Sequence, residues 1–127
     1  MEKKDKIAAI AYAWKTALDT HNIEQTNKLY DKSALLYATF KTRLDTSYKI
    51  SHYFQSLFTK RDFSVMFNSQ DIRVFSDNVA INSGMYTFSY KSELGEPITV
   101  NARFTFVYLL EDDMWKIIEH HSSVDPE

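Results

Sequence analysis

Two adjacent histidines, His120 and His121, stand near the end of an otherwise aromatic and β-branched stretch, Met114-Trp115-Lys116-Ile117-Ile118-Glu119-His120-His121-Ser122-Ser123. An arginine, Arg103, stands in a similar stretch, Ala102-Arg103-Phe104-Thr105-Phe106-Val107-Tyr108. Titratable groups in such surroundings need a partner, a cavity or an interface. An imidazole can move protons near neutral pH, and a guanidinium can clamp a carboxylate. Consecutive strand residues point to opposite faces, so the histidine pair is poorly placed to chelate one metal ion. His21 falls at a helix end and His52 on the polar side of a helix. No metal site and no cofactor are expected.

Proton transfer by His120 needs a well-placed partner. The acids of the second half fall mostly in turns: Asp77, Glu93, Glu96, Glu111, Asp112 and Asp113. Glu119 lies on the outer face by alternation, Asp71 has no clear face, and Asp31 and Asp45 flank the first strand. None is placed beside His120. His120 therefore has two readings: a hydrogen-bonded structural residue, or a pocket residue and candidate catalytic acid–base. Arg103 also has two: a register-setting partner of Glu119, or, with the faces reversed, an anion clamp. Arg43 sits in a loop near the expected pocket mouth, or is simply solvated.

The elements that must position these groups follow from periodicity. Ile7, Ile10, Ala11, Trp14 and Leu18 predict a helix over residues 4 to 20. Asn22, with Gln25 three residues on, caps a short helix over about 23 to 31. Residues 34–40 read as a strand, and Lys41 to Ser47 as a polar loop. Ile50, Tyr53, Phe54, Leu57 and Phe58 give a third helix, capped within Asp45–Ser47 and ending near Lys60-Arg61. Four strands follow: Phe63 to Phe75, Val79 to Lys91, Ile98 to Leu110 and Met114 to Ser123. Short turn-like connections make them an antiparallel meander. Gly84 in mid-strand marks a bulge or kink. The fold class is α+β: one domain, with N-terminal helices packed in the concave face of a curved, mostly antiparallel sheet.

Alternation assigns the faces. Tyr86, Phe88 and Tyr90 share the inner face, as do Phe104, Phe106 and Tyr108. Ile118, His120 and Ser122 are expected inside too. With Trp14, Tyr37, Phe54 and Arg43 they make the candidate ligand pocket. So many tyrosines suit a cavity holding water or a small organic ligand, since each buried hydroxyl wants a partner. Arg103, Thr105 and Val107 are expected outside with Trp115, Ile117, Glu119 and His121. That face also carries Val79, Ile81, Met85 and Leu109. A broad apolar outer face is rarely left wet, and a second copy of the same sheet would cover it as a homodimer.

The 127 residues carry fifteen Lys and Arg against seventeen Asp and Glu, a net charge of −2 with no general attraction to nucleic acid or anionic membranes. No cysteine is present, which removes disulfides, zinc-thiolate sites and thiol catalysis and fits a reducing compartment. No apolar stretch approaches the ~20 residues that span a bilayer. No signal-peptide pattern opens the chain, so a cytoplasmic location is expected. Nothing resembles a nucleotide loop or a serine elbow.

Helices followed by a four-strand meander, with Ala102-Arg103-Phe104-Thr105-Phe106-Val107-Tyr108 and Trp115 to Ser123 near Pro126, resemble the nuclear transport factor 2-like (SnoaL-like) superfamily. Leu29-Tyr30, Thr39, Arg43 and Ile50-x-x-Tyr53-Phe54 add to the likeness. Within it, the chain is similar to bacterial relatives of the association, or hub, domain of calmodulin-dependent protein kinase type II. The resemblance implies a cone with a deep pocket at its open end and dimers through the sheet, in hubs further assembled into rings. Hub pocket arginines fall here at Phe106 and Ser122, so anion binding by that route is not implied. Kinase activity is not implied either. The leading expectation is a small-molecule-binding or oligomerisation module. The alternative is a small SnoaL-like isomerase, cyclase or hydratase using His120.

Overall fold

The structure, a computed structural model, describes residues 2–126. Its helices are α1 (Lys3–Asp19), α2 (Ile23–Leu29) and α3 (Ser47–Phe58). Its strands are β1 (Tyr30–Tyr37), β2 (Arg43–Leu44), β3 (Arg61–Val74), β4 (Val79–Lys91), β5 (Pro97–Glu111) and β6 (Met114–Val124). They form one sheet in the order β2-β1-β6-β5-β4-β3. Every pairing is antiparallel except β1 with β6, which is parallel. The expected α+β cone, with helices against one face of a curved sheet, is what the chain forms.

Local chemistry explains the boundaries. The Asn22 side chain accepts a hydrogen bond from the Gln25 amide, and the Thr46 hydroxyl one from the Lys49 amide. These are the N-caps of α2 and α3. Asp112 and Asp113 both adopt positive φ, 50° and 62°, which gives the β5–β6 turn the twist a tight hairpin needs. The core lies between the helices and the inner sheet face, centred on Trp14, Phe54, Tyr86, Phe106 and Tyr108.

Four register shifts interrupt the sheet, and two of them are bulges at mid-strand. On β3, Asn68 is the extra residue, since Phe67 pairs with Tyr86 while Ser69 pairs with Met85. Gly84 lies beside this bulge, as its position in mid-strand predicts. A Cβ there would fall 2.1 Å from the Ser69 carbonyl oxygen. On β6, Ile118 is the extra residue, because Tyr108 pairs with Ile117 and Val107 with Glu119.

The second bulge corrects the face assignment. Simple alternation sends Trp115 and Ile117 outward and Ile118 inward. The inserted residue reverses the phase upstream of it. Trp115 and Ile117 are buried in the core, 8% and 0% exposed, while His120 keeps its expected inward place. Two further expectations shift. The strand read over 34–40 begins at Tyr30, directly after α2. The polar loop from Lys41 to Ser47 contains β2, which pairs Arg43 with Tyr37.

Candidate functional site

Inside the cone, side chains from five parts of the chain converge on His120. Trp14 comes from α1, Tyr30 from the first residue of β1, Tyr86 from β4, Ser122 from β6 and Thr39 from the loop after β1. The Trp14 indole donates to the Tyr30 hydroxyl at 3.1 Å. That hydroxyl lies 2.9 Å from His120 Nδ1. On the other side of the ring, His120 Nε2 lies 3.1 Å from the Tyr86 hydroxyl. Tyr86 donates to Ser122 Oγ at 2.6 Å, and Ser122 in turn bonds the Thr39 hydroxyl.

The proton positions follow from the donor inventory. An indole only donates, and a tyrosine hydroxyl has one proton. Tyr30 therefore accepts from Trp14 and gives its own proton to Nδ1. Tyr86 spends its proton on Ser122, so it accepts from Nε2–H. The chain runs in one direction through a neutral Nε2–H imidazole. Nitrogen NMR of His120 at pH 7 is expected to show Nε2 protonated and Nδ1 bare; the reverse tautomer would break this network.

Burial sets the electrostatics. Desolvation, with a smaller push from His121, lowers the His120 pKa to about 3. Desolvation also raises Tyr30 and Tyr86 well above the ordinary tyrosine range. Tyr53 is pushed up to about 12 by burial, against opposing hydrogen bonds from the Phe40 backbone and the Thr39 hydroxyl. A useful general base titrates near working pH. An imidazole this hard to protonate, between two tyrosines this hard to ionise, is a poor proton-transfer device. Its hydrogen-bond partners among the described residues are the hydroxyls of Tyr30 and Tyr86, and no carboxylate joins them.

Trp14, Phe54, Tyr86, Phe88, His120 and Ser122, all expected in the pocket, do line one interior cavity. Its volume is about 10 Å³, room for a single water molecule. Phe104 and Phe106 are core rings behind it, Phe106 with its centre 4.1 Å from that of His120. Tyr108 is buried farther along, its hydroxyl pKa raised by burial and partly offset by Asn82.

Three expected pocket residues lie elsewhere. Tyr37 is 40% exposed, its ring centre 4.6 Å from that of His121 on the outer face. Arg43 is exposed and pairs with Asp45 at 3.0 Å. Tyr90 is half-buried beneath Lys60 Nζ, 4.5 Å from the ring centre. Pairing of β1 with β6 turns Tyr37 outward; Arg43 is consumed by a neighbouring acid. Sequence reading missed Thr39 and Tyr53 as cavity lining and Tyr30 as a partner of His120. Thr39 is signalled by its polarity after an apolar strand, but Tyr30 was hidden by its assignment to the preceding helix.

The outer face brings together the other candidates. Thr105 pairs with His121, Val107 with Glu119, and Arg103 with Ser123. Tyr37, Arg103, Thr105, His121 and Ser123 border a groove of about 440 Å³. Arg103 donates to Ser123 Oγ at 3.4 Å, and His121 Nε2 lies 3.1 Å from Glu119. Ile81 pairs with Val107, and Val79 with Leu109, so a half-buried apolar strip lies beside these polar groups. Trp115 and Ile117 do not belong to this face. Among the described residues no group of three or more acidic or histidine side chains could hold a metal ion, and no helix is long and apolar enough to cross a membrane.

Comparison with known proteins gives a consistent result. Residues 3–126 match the family described as calcium/calmodulin dependent protein kinase II association domain. A solved structure from Xanthomonas campestris, named for the same association domain, is 34% identical with a TM-score of 0.89, covering 96% of this chain and 87% of that one. The hub homology domain from Chlamydamonas reinhardtii is 20% identical with a TM-score of 0.82, covering 99% and 100%. A ketosteroid isomerase-like protein from Erwinia carotovora is 15% identical with a TM-score of 0.87, covering 99% and 98%. No curated protein matches the chain.

Proposed function

Because the chain belongs to the calcium/calmodulin dependent protein kinase II association domain family, we propose that it works by self-association and not by catalysis. The outer face of β4, β5 and β6 is the contact surface, and a second copy of the chain is the partner. The single observation that carries this reading is the layout of that face. An apolar strip of Ile81, Val107 and Leu109 shares this face with exposed Arg103, four residues along β5 from Val107, and with half-buried Glu119, which pairs with Val107. A two-fold axis lying in the contact plane and passing between Arg103 and Glu119, over Thr105 and His121, sets each copy's Arg103 against the other's Glu119. Covering about 800 Å² per partner would make an interface of standard size.

The enzymatic alternative has weaker support. His120 is held neutral between two tyrosine hydroxyls, with no carboxylate in the network. The imidazole serves packing and register more readily than proton transfer.

Charge reversal tests the association. Arg103→Glu and Glu119→Arg are each expected to weaken the dimer about 100-fold, since like charges then face each other across the contact. The double variant restores pairing. Sedimentation equilibrium of the wild type and the three variants reads the result. A wild type that is monomeric at tens of micromolar, or single variants that dimerise like wild type, would sink the proposal.

A further inference from the structure

We propose that self-association of this chain is switched by pH, with His121 as the side chain that weakens it in mild acid. The inference rests on the outer-face contact proposed above and names what regulates it.

Strand register puts His121 on the two-fold. One row of outer-face side chains crosses the whole sheet: Arg43, Tyr37, His121, Thr105, Ser83 and Asp71. The rows on either side of it carry Arg103 with Ser123 and Val107 with Glu119. An axis that sets Arg103 against the partner's Glu119 exchanges these two flanking rows. It therefore returns the middle row onto itself, and His121 meets the partner's His121. Packed sheets stand about 10 Å apart, so two imidazoles reaching from opposite sides meet near the mid-plane. In the single chain His121 is exposed.

The surrounding charges set the sign. On its own strand, His121 Nε2 lies 3.1 Å from Glu119 Oε2. β1 supplies the Tyr37 ring, its centre 4.6 Å from that of His121, and β5 supplies Arg103 in the next row. Arg43 and Asp71 stand at the two ends of the middle row, Arg43 paired with Asp45. His120, the chain neighbour, points to the opposite face and stays neutral in mild acid. The partner brings the same set. With neutral imidazoles, one arginine and one glutamate from each copy leave the contact balanced. A proton on each His121 adds two positive charges that face each other where water is excluded. In the single chain that proton sits in water beside Glu119; in the dimer Glu119 is already engaged by the partner's Arg103. The dimer thus binds fewer protons than two separate chains. Affinity falls as pH falls through the range where imidazoles titrate and is flat above it.

Sedimentation equilibrium at about pH 8 and about pH 5.5, at one ionic strength, reads the dissociation constants of wild type, His121→Gln and His121→Lys. Near-UV circular dichroism at both pH values checks that each protein is folded. Wild type is expected to dimerise roughly 30-fold more weakly at the lower pH. His121→Gln cannot take up the proton, so its two dissociation constants should agree within about twofold. His121→Lys carries the charge permanently and should be weak at both pH values. His120 is common to all three proteins, so its own sensitivity to acid cancels in the comparison. Equal wild-type affinity at both pH values, or a His121→Gln protein that keeps the full pH dependence, would overturn the switch and leave self-association standing. A wild type that is monomeric at about pH 8 would overturn the contact itself, and the switch with it.

Discussion

Gly84→Ala is expected to destabilise the fold by about 3 kcal/mol or more. The added Cβ would fall 2.1 Å from the Ser69 carbonyl oxygen and 2.7 Å from its carbon. Both are backbone atoms, so no side-chain rotation relieves the collision. Relief would require the Asn68 bulge to open, and with it the long β3–β4 pairing that carries Phe67 and Tyr86. Gly95→Ala is the matched control. Gly95 has φ of 83°, but the nearest atom to its Cβ would be Arg61 Nη1 at 3.8 Å. Its cost is backbone strain alone, about 1 kcal/mol. Urea denaturation of both variants makes the comparison. A Gly84→Ala protein no less stable than Gly95→Ala would show that the bulge does not depend on close approach here.

Acid is expected to expose the second large effect. The folded protein binds a proton on His120 only near pH 3. The unfolded chain binds it near pH 6.5. Between these values unfolding takes up a proton, so stability falls as pH falls; above about 6.5 this contribution is flat. Each pH unit inside the window is worth about 1.4 kcal/mol, several kcal/mol in all. His120→Asn cannot titrate. Its stability is expected to fall less steeply from pH 6 to 4 than that of wild type, even if it is lower at neutral pH. The lowered carboxyl pKa values of Asp31, Asp45 and Asp77 also cost stability in acid, but they are common to both proteins and cancel in the difference. Parallel curves for the two proteins would remove His120 as the responsible group.

The sequence was most legible where periodicity ran unbroken. Ile50, Tyr53, Phe54 and Leu57 announced α3 and are all buried in it. The rings of β4 and β5 announced the inner face, and Tyr86, Phe104, Phe106 and Tyr108 are buried there. Failure came where one inserted residue changed phase. Nothing in Ile117-Ile118-Glu119 marks Ile118 as extra, because two isoleucines suit either face. The choice is made by Tyr108 and Val107 across the strand, not by β6 itself. Tyr30 was hidden for a related reason. Its strand partner, Ile117, is a parallel neighbour from the far end of the chain, and no local pattern reports that pairing. The hydrogen-bonded chain through His120 was therefore legible at His120 and Ser122 and invisible at Tyr30.

The parallel seam between β1 and β6 has a consequence for synthesis. Leu36 meets His120, and Tyr30 meets Ile117, so the first strand made depends on the last. Contacts between such distant segments slow folding, because a long loop must close before they form. A nascent chain emerging from the ribosome has α1 to α3 early, with their apolar stripes still uncovered. The sheet cannot close over them until the C-terminal residues clear the exit tunnel. Truncation a few residues before Ser122 should thus leave not a trimmed domain but an unfinished one, sticky enough to engage chaperones.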